Sequence, residues 1–588
     1  MAIAQQRRAV TASVPAPIGG WNARDSVAEM NPLDAVVLEN FYPTPSQIQL
    51  RKGYTQYATG ITGQVDTLMQ YSGGSTSKLF AAAGSVIYDV STAGTATSVV
   101  TSQGSDRWQY VNASTTGGNF LTAVNGTDPA LIYDGTTWVK YANISTAQTI
   151  SNLTSSGTTC TLVTSVAHGL VTGNQVTITG ASPSQYNGTF RITVTNGTTF
   201  TYTALSAPAT SPASPLGSYT VAKFITGVDS SNLIHVNLHK ERLYFVEENT
   251  LNFWYLGANA ISGSATSYPL GAIARNGGYI MAMGTWTLDA GYGVDDYAVF
   301  ITNNGEAIVF KGSDPSDPND WSLIGVWQLG QVFARRCFFK FAGDLLLITQ
   351  DGIVPLASAL QSSRLDPRIN ITDKIYNAVN EAANLYNTEF GWQIHYYAKQ
   401  NMLIFNIPVI GGQQQFVMHN ITKAWANFTN INATCFEVYD EDMYFGGNGF
   451  VGKFYDGLSD NNNNIRATCQ QAYSYFDARG QLKRFTMVRP ILFVDNGTPT
   501  ILCGINTDFQ TQNSLGQISY NPALISVGIW DTSLWDDVEW GGGNNISKNW
   551  QGVTGIGYAA GISINIASQD IDVRWASTDF VMERGAVL

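Results

Sequence analysis

One phrase recurs along this 588-residue chain and restricts its fold more than any other feature. It is an apolar run, a tight turn of the Asn-Gly or Asp-Gly kind, and a second apolar run that ends in an aromatic. Copies are Lys78–Val90, Asn119–Tyr133, Arg242–Tyr255, Tyr297–Phe310 and Asp344–Leu356, with looser ones at Met402–Met418 and Met443–Tyr455. Asn-Gly and Asp-Gly accept the positive φ that tight turns demand, so each copy predicts a β-hairpin. The turn centres, near 84, 126, 249, 305, 351, 412 and 448, lie 36 to 61 residues apart except for one gap of 123. That gap shrinks to about 50 once an inserted module of about 73 residues is removed. Strand–turn–strand units repeating every 40–50 residues or so mark a β-propeller. The expected fold is all-β: a propeller of six to eight blades with few short helices.

Only 13% of residues are charged, about half the usual quarter, while Gly (57) exceeds average usage. Either a β-rich, turn-rich composition or a surface covered by other subunits accounts for this, and both readings stay open. The length implies two to four domains. A net charge of −12 argues against a broad nucleic-acid-binding face. It does not exclude DNA as cargo, because a channel that passes DNA works better when its wall does not hold phosphates. Cys160, Cys337, Cys435, Cys469 and Cys503 are scattered, which favours buried free thiols made in a reducing cytoplasm over disulfides or a zinc site. The N-terminal MAIAQQRRAV has no apolar stretch after Arg7 and Arg8, so it does not read as a signal peptide. No run approaches the 18 apolar residues or so of a membrane-spanning helix, and no stable membrane insertion is expected.

Along the chain, residues 1–17 read as a flexible arm. Asn31 before Pro32 has the form of an N-cap with proline at the first helical position, predicting a short helix over Pro32–Asn40. Tyr42-Pro43-Thr44-Pro45 breaks it and hands over to a strand at Gln47–Arg51. The expected division is arm and helix (1–51), first propeller part (52–146), inserted small β-barrel (147–221), propeller remainder (222–465) and separate C-terminal β domain (466–588). In the insert, alternation marks strands Gln175–Thr179, Phe190–Val194 and Phe200–Tyr202, and a Pro/Ser/Ala linker, Ala207–Leu216, closes it. One helix, Thr372–Tyr386, is capped by Thr372 and carries Ile375, Val379, Ala382, Ala383 and Tyr386 on one face. The last domain shows strands Phe485–Val494 and Thr500–Ile505, and Trp530, Trp535, Trp540 and Trp550.

A search for chemistry nominates no catalytic, cofactor-binding or metal-binding residue, and the chain reads as a non-enzyme with no cofactor. His168, His235, His239, His395 and His419 lack Ser/Asp or Cys partners at a recognisable spacing, and His235 and His239 lie in an alternating β-like stretch. Asp134-Gly135-Thr136-Thr137-Trp138 is similar to the Asp-box of sialidase propellers but lacks the residue between Asp and Gly, so it reads as a turn before a returning Trp. Asp314, Asp317 and Asp320 could gather around calcium, yet no bidentate Glu follows and two prolines stiffen the loop; a solvated turn is the better reading. Asp536, Asp537 and Glu539 have no opposing carboxylates to complete a glycosidase pair. No P-loop or nucleophile elbow occurs. Basic patches, Arg335-Arg336 and Lys483-Arg484 with Arg489, suit ordinary ion pairs.

Gly19–Tyr54 resembles the N-terminal block of the distal tail-tube, or nozzle, proteins of short-tailed bacteriophages, the tail tubular protein B type. The likeness rests on Gly19-Gly20-Trp21-Asn22, the segment Pro32–Asn40, the aromatic-Pro turn Phe41–Pro45 and Ile48–Arg51 leading into Lys52-Gly53-Tyr54. Phe485–Val494 and Arg574–Phe580 resemble that family's closing β domain. The insert, through Ala167-His168-Gly169-Leu170, Thr172–Val176 and Tyr186–Phe190, is similar to a small β-barrel of phage tail proteins and ubiquitin-activating enzymes. The resemblance implies a virion protein, made in the host cytoplasm and placed in the tail. It implies a homo-oligomeric ring of about six copies below an adaptor protein, with fibres or spikes attached laterally and genomic DNA passing through without specific binding. Trp21, Asn22, Arg24, Asp25, Pro32, Asp34, Phe41 and Tyr42 are the expected assembly contacts, and a protein lacking residues 1–45 is expected to stay soluble but fail to join tail cores. The competing reading is a receptor- or glycan-binding tailspike-like protein.

Overall fold

The computed structural model describes residues 9–115, 117–140, 147–168, 170, 175–221, 225–289, 294–360, 367–495, 497–510, 516–517 and 545–587. The chain forms two compact units: Met1–Thr59 with Gln350–Val354 and Arg364–Leu588, and Gly60–Thr349 with Pro355–Ser363. Both are built almost wholly of strands.

The second unit contains the propeller. Its blades are antiparallel meanders formed by residues 65–72, 77–83, 86–89 and 97–100, then 109–115, 118–124, 131–133 and 138–140. Two more follow, from 233–239, 242–247, 252–255 and 266–269, and from 280–289, 294–302, 306–311 and 322–328. A fifth begins with Phe338–Phe341 paired to Asp344–Thr349. Neighbouring blades lock through their first strands. Asn112 Nδ2 donates to the Gln70 carbonyl at 2.8 Å, and the ring Nε2 of His235 lies 2.9 Å from the Met283 carbonyl. The circle closes at Arg336, whose Nη2 reaches the Asp66 carbonyl, Thr67 Oγ1 and the Trp108 carbonyl at 3.0, 2.6 and 3.3 Å. Five blade sheets are thus described in this unit, and the two looser hairpins near 412 and 448 fall in the other unit.

Sequence-predicted hairpins near 84, 126, 249 and 305 are the second and third strands of their blades. Gly84, Gly126, Asn249 and Gly305 adopt positive φ at those turns. Aromatics at the ends of these strands fill the spaces between blades: Phe253 stacks on Phe300 at 4.4 Å, and Phe310 on Trp321 at 5.0 Å. The insert is a closed six-stranded barrel, Gln148–Ser156, Thr159–Thr164, Gln175–Ala181, Gly188–Asn196, Thr199–Thr203 and Leu216–Val221, with its own buried core around Leu162, Ile178, Tyr186 and Phe200. Arg191 of the barrel forms an ion pair with Asp134 of the second blade.

The first unit is a pair of sheets over one core. A ten-stranded sheet runs from Gln393–Tyr397 through Asp34–Glu39 and Ile465–Gln471 to Gly516–Gln517. A seven-stranded sheet holds Ala9–Pro15, Phe41–Pro43, Ile48–Leu50, Gln481–Asp495, Asn545–Ser547, Gln551–Gly557 and Asp572–Val587. Phe41, Ile48, Val488, Trp575 and Phe580 from one sheet and Leu38, Cys469, Ile564 and Ile566 from the other share a single apolar cluster.

Several expectations change. The helix foreseen at Pro32–Asn40 is a strand, Asp34–Glu39. Asn31 does accept a backbone N–H, from Leu33 at 3.0 Å, but the turn it stabilises releases the β-branched Val36 and Val37 into pairing with Ile465–Gln471. Within the expected arm, Ala9–Pro15 is a strand that pairs over seven residues with Asp572–Val587, and residues 1–8 lie outside the described residues. The C-terminal strands are therefore not separate from the N-terminal ones, and removing residues 1–45 would strip strands from both sheets rather than leave a soluble remainder. The foreseen helix Thr372–Tyr386 is a 3₁₀ turn at Asp373–Ile375 followed by α-helix Tyr376–Tyr386, with Ile375, Val379, Ala382 and Ala383 buried. Thr372 Oγ1 accepts from the Ile353 N–H at 3.1 Å instead of capping.

Candidate functional site

Gly19 and Gly20 open the candidate site because nothing larger fits. A Cβ on Gly19 would lie 2.2 Å from Asp34 Oδ1, and one on Gly20, at φ +81°, would lie 2.6 Å from the Trp425 carbonyl oxygen. The chain can then bring Trp21 edge-on to Phe416 at 5.0 Å and bury Asn22 beneath it. Asn22 Nδ2 donates to Asp34 Oδ2 and Asp25 Oδ2, both at 2.9 Å, and its Oδ1 accepts the Arg24 and Asp25 N–H groups. Lys374 Nζ answers from the 3₁₀ turn, donating to Asp34 Oδ1 at 2.7 Å and to the Gly19 carbonyl at 2.6 Å. Every polar atom that Asn22 and Asp34 bury is thereby partnered, as burial requires.

Arg24 and Asp25 form the exposed rim. Arg24 Nε donates to Asp25 Oδ1 at 2.8 Å, and its guanidinium also pairs with Asp373. The hydrogen bond from Arg24 holds the Asp25 carboxyl below the usual range, helped by the amide of Asn22; the same bond raises Arg24. Asn377 Nδ2 reaches the Ala23 carbonyl at 2.8 Å and ties the rim to the helix. A groove of about 370 Å³ runs along that helix, lined by Tyr376, Asn377, Asn380, Glu381, Asn384 and Leu385.

Of the eight sequence-nominated contacts, Asn22, Asp34, Phe41 and Tyr42 are buried inside this chain. Tyr42 donates its hydroxyl to the Gln400 carbonyl at 2.9 Å, and desolvation drives its ionisation out of reach of ordinary pH. Trp21 and Pro32 are half-buried; Arg24 and Asp25 alone stand exposed. The structure adds residues that sequence reasoning missed: Lys374, and Arg51 with Asp460. Arg51 is fully buried and forks onto both Asp460 oxygens at 2.7 Å each, while its Nε donates to Asn40 Oδ1 at 2.7 Å. An arginine closing the alternating strand Ile48–Leu50 was the available signal; its partner, 409 residues later, left none.

Of the residues weighed for chemistry, Asp134, Asp314 and Asp320 hold turns. Asp134 Oδ1 caps the Thr136 and Thr137 N–H groups at 2.9 and 2.8 Å, and Trp138 returns into the blade interface 5.0 Å from Phe80. Asp314 caps Ser316 N–H and pairs with Arg242, and Asp320 caps Ser313 and Asp314. Among the described residues, no three His, Cys, Asp or Glu side chains are grouped to hold a metal. Trp530, Trp535, Trp540, Asp536, Asp537 and Glu539 lie outside the described residues.

No protein-family model matches this sequence, and no curated protein does. Solved structures similar to it include the β-propeller domain of Swd1 (Cps50) from Myceliophteria thermophila. That match has 7% identity and a TM-score of 0.26, and covers 68% of this chain and 98% of that one. YCF48 bound to D1 peptide matches at 9% identity and TM-score 0.23, over 72% of this chain and 96% of that one. A putative 6-phosphogluconolactonase from Bacteroides uniformis matches at 12% identity and TM-score 0.25, over 62% and 91%. Similarities this slight carry nothing about activity, and the propeller assignment rests on the blades themselves.

Proposed function

We propose that this chain is a structural protein of a short-tailed phage virion, a nozzle component that rings the DNA exit path, retains and then passes the genome, and anchors fibres. One observation carries the reading. The block that resembles nozzle proteins, Gly19–Tyr54, is built as a continuous strap: Gly20–Trp21 and Asp34–Glu39 join the ten-stranded sheet, and Phe41–Pro43 and Ile48–Leu50 join the seven-stranded one. Its distinctive residues serve rigidity. Gly19, Gly20, Asn22 and Arg51 each hold one fixed backbone path, which suits a stiff assembly part better than a catalyst.

In this reading Arg24 and Asp25 face a neighbouring protein, and the propeller blades form stiff walls. Labelling the chain on intact particles tests it: label at the tail tip supports the proposal, and label on the head or on fibres alone rejects it. Depolymerisation of a host polysaccharide by the purified chain would favour the tailspike-like alternative. Arg24→Ala should leave the melting temperature within a few degrees, since exposed pairs contribute at most about 1 kcal/mol. Incorporation into tails should fall.

A further inference from the structure

The outer face of the seven-stranded sheet carries an apolar surface that nothing described in its own unit covers. Along Gln481–Asp495, Phe485, Val488, Leu492 and Val494 point into the core. The alternate positions point out, bringing Leu482, Met487 and Arg489 to the surface. Register extends the face sideways: Arg484 is opposite Ile556 and Glu583, and Phe493 is opposite Ile546 and Arg574. Leu482, Met487, Ile546, Trp550 and Ile556 are all exposed, five of the fourteen large exposed apolar side chains among the described residues. Trp550 is held flat by the Arg489 guanidinium, 4.6 Å from its ring, and Arg489 in turn forks onto Asp579 at 2.9 and 2.6 Å.

We infer that this face is a contact between copies of the chain. Its size fits. The strand Gln481–Asp495 has 15 residues, and with three neighbours it spans on the order of 700–900 Å², about the 800 Å² that one partner gives a stable complex. Its charge fits as well. Arg484 faces Glu583 at 3.9 Å, Arg489 binds Asp579 at 2.6 Å, and Arg574 binds Asp495 and Asp572 at 2.6 and 3.1 Å. The arginines on this face already have carboxylate partners within it. A copy with net charge −12 can therefore approach without burying an unpaired charge. An exposed apolar surface rimmed by such pairs is the form that association sites take. The inference gives the ring its lateral surface and relies on the nozzle reading only for that placement.

Sedimentation of the full chain tests it. Wild type should travel as an oligomer. Ile556→Glu and Trp550→Ala should travel at the 63.6 kDa monomer mass with unchanged melting temperature. Should a variant lose fold, amide exchange on wild type replaces it: residues 545–557 should be protected in the oligomer and lose protection on dilution. A wild type that stays monomeric well above micromolar concentration overturns the inference, as do variants that assemble like wild type. Cross-links from residues 518–544 onto Ile556→Cys in a monomer would overturn it too, by making this chain the occupant. Association lost in the variants, but from two-fold dimers rather than rings, keeps the inference and removes the ring; rings that ignore the variants do the reverse.

Discussion

Arg51 uses all its hydrogen-bonding capacity out of reach of water: two bonds to Asp460, one to Asn40 Oδ1, one to the Thr429 carbonyl at 2.9 Å and one to the Lys52 carbonyl at 3.0 Å. Lysine could not reproduce the fork, and methionine would strand a buried carboxylate. Arg51→Met should therefore cost about 3–5 kcal/mol, read as a lowered urea midpoint, while Arg51→Met with Asp460→Leu should recover much of the loss. Equal losses in the single and double variants would mean that packing, and not the pair, holds the strap. Next along, Gly53 admits no side chain, because its Cβ would lie 1.8 Å from the Ser459 carbonyl oxygen. In the propeller, His239 is 1% exposed, and its Nε2 lies 3.2 Å from the Gly312 carbonyl. Burial pushes its pKa down to about 4, against the Gly312 bond and nearby Asp296, with Lys240 adding to the fall. The folded protein thus keeps it neutral while the unfolded chain takes a proton below about pH 6.5. Its contribution is complete above pH 6.5 and declines toward pH 4, by on the order of 3 kcal/mol. Burial also pushes His235 down to about 4, so urea midpoints across that window should slope upward with pH from both imidazoles, and His239→Asn should reduce the slope by about half; identical slopes would refute a buried neutral imidazole at His239.

At the scale of elements, the middle strands of the blades were legible because both their faces are covered, so they read as apolar runs on either side of a turn that needs positive φ. The first strands were not: Gln109–Thr115 and Leu233–His239 carry polar residues such as Asn112, His235 and Asn237, whose partners belong to an adjacent blade. Fourth strands escaped for lack of length, three of them having three or four residues. Pro32–Asn40 misled because a correct local signal, the Asn31 turn, was taken to begin a helix when long-range pairing claimed Val36 and Val37. Asn22 and Asp34 were illegible for a related reason: they look like surface polar groups until Lys374, more than 300 residues away, arrives to bury them. The barrel was legible in its alternation and is closed on itself, its first and last strands pairing through Gln148 and Tyr219. Since its core, among the described residues, draws on none outside 150–221, an isolated 147–221 fragment should fold and melt cooperatively. A disordered fragment by circular dichroism would mean that the second blade, through Asp134 and Arg191, completes it.

The whole molecule combines sparse charge, rigid sheets and a net negative sign, and these decide what it can do with nucleic acid. Non-specific binding to a duplex comes almost entirely from Lys and Arg displacing counterions along the phosphates. Here 31 such residues are outnumbered by 43 carboxylates, and several exposed arginines are already engaged: Arg24 with Asp25 and Asp373, Arg107 with Asp66, Arg479 with Glu29. A wall of this kind repels phosphate weakly and uniformly, so a DNA end held under pressure could slide past without being caught at successive sites. The purified chain should therefore show no change in the anisotropy of a labelled duplex at physiological salt, up to concentrations at which basic proteins bind non-specifically, roughly 1–100 µM. Lowering the salt should produce little binding, since few counterions can be released. Micromolar binding with a steep salt dependence would instead reveal a basic path along the molecule, and the proposed role as a passive conduit would fall with it.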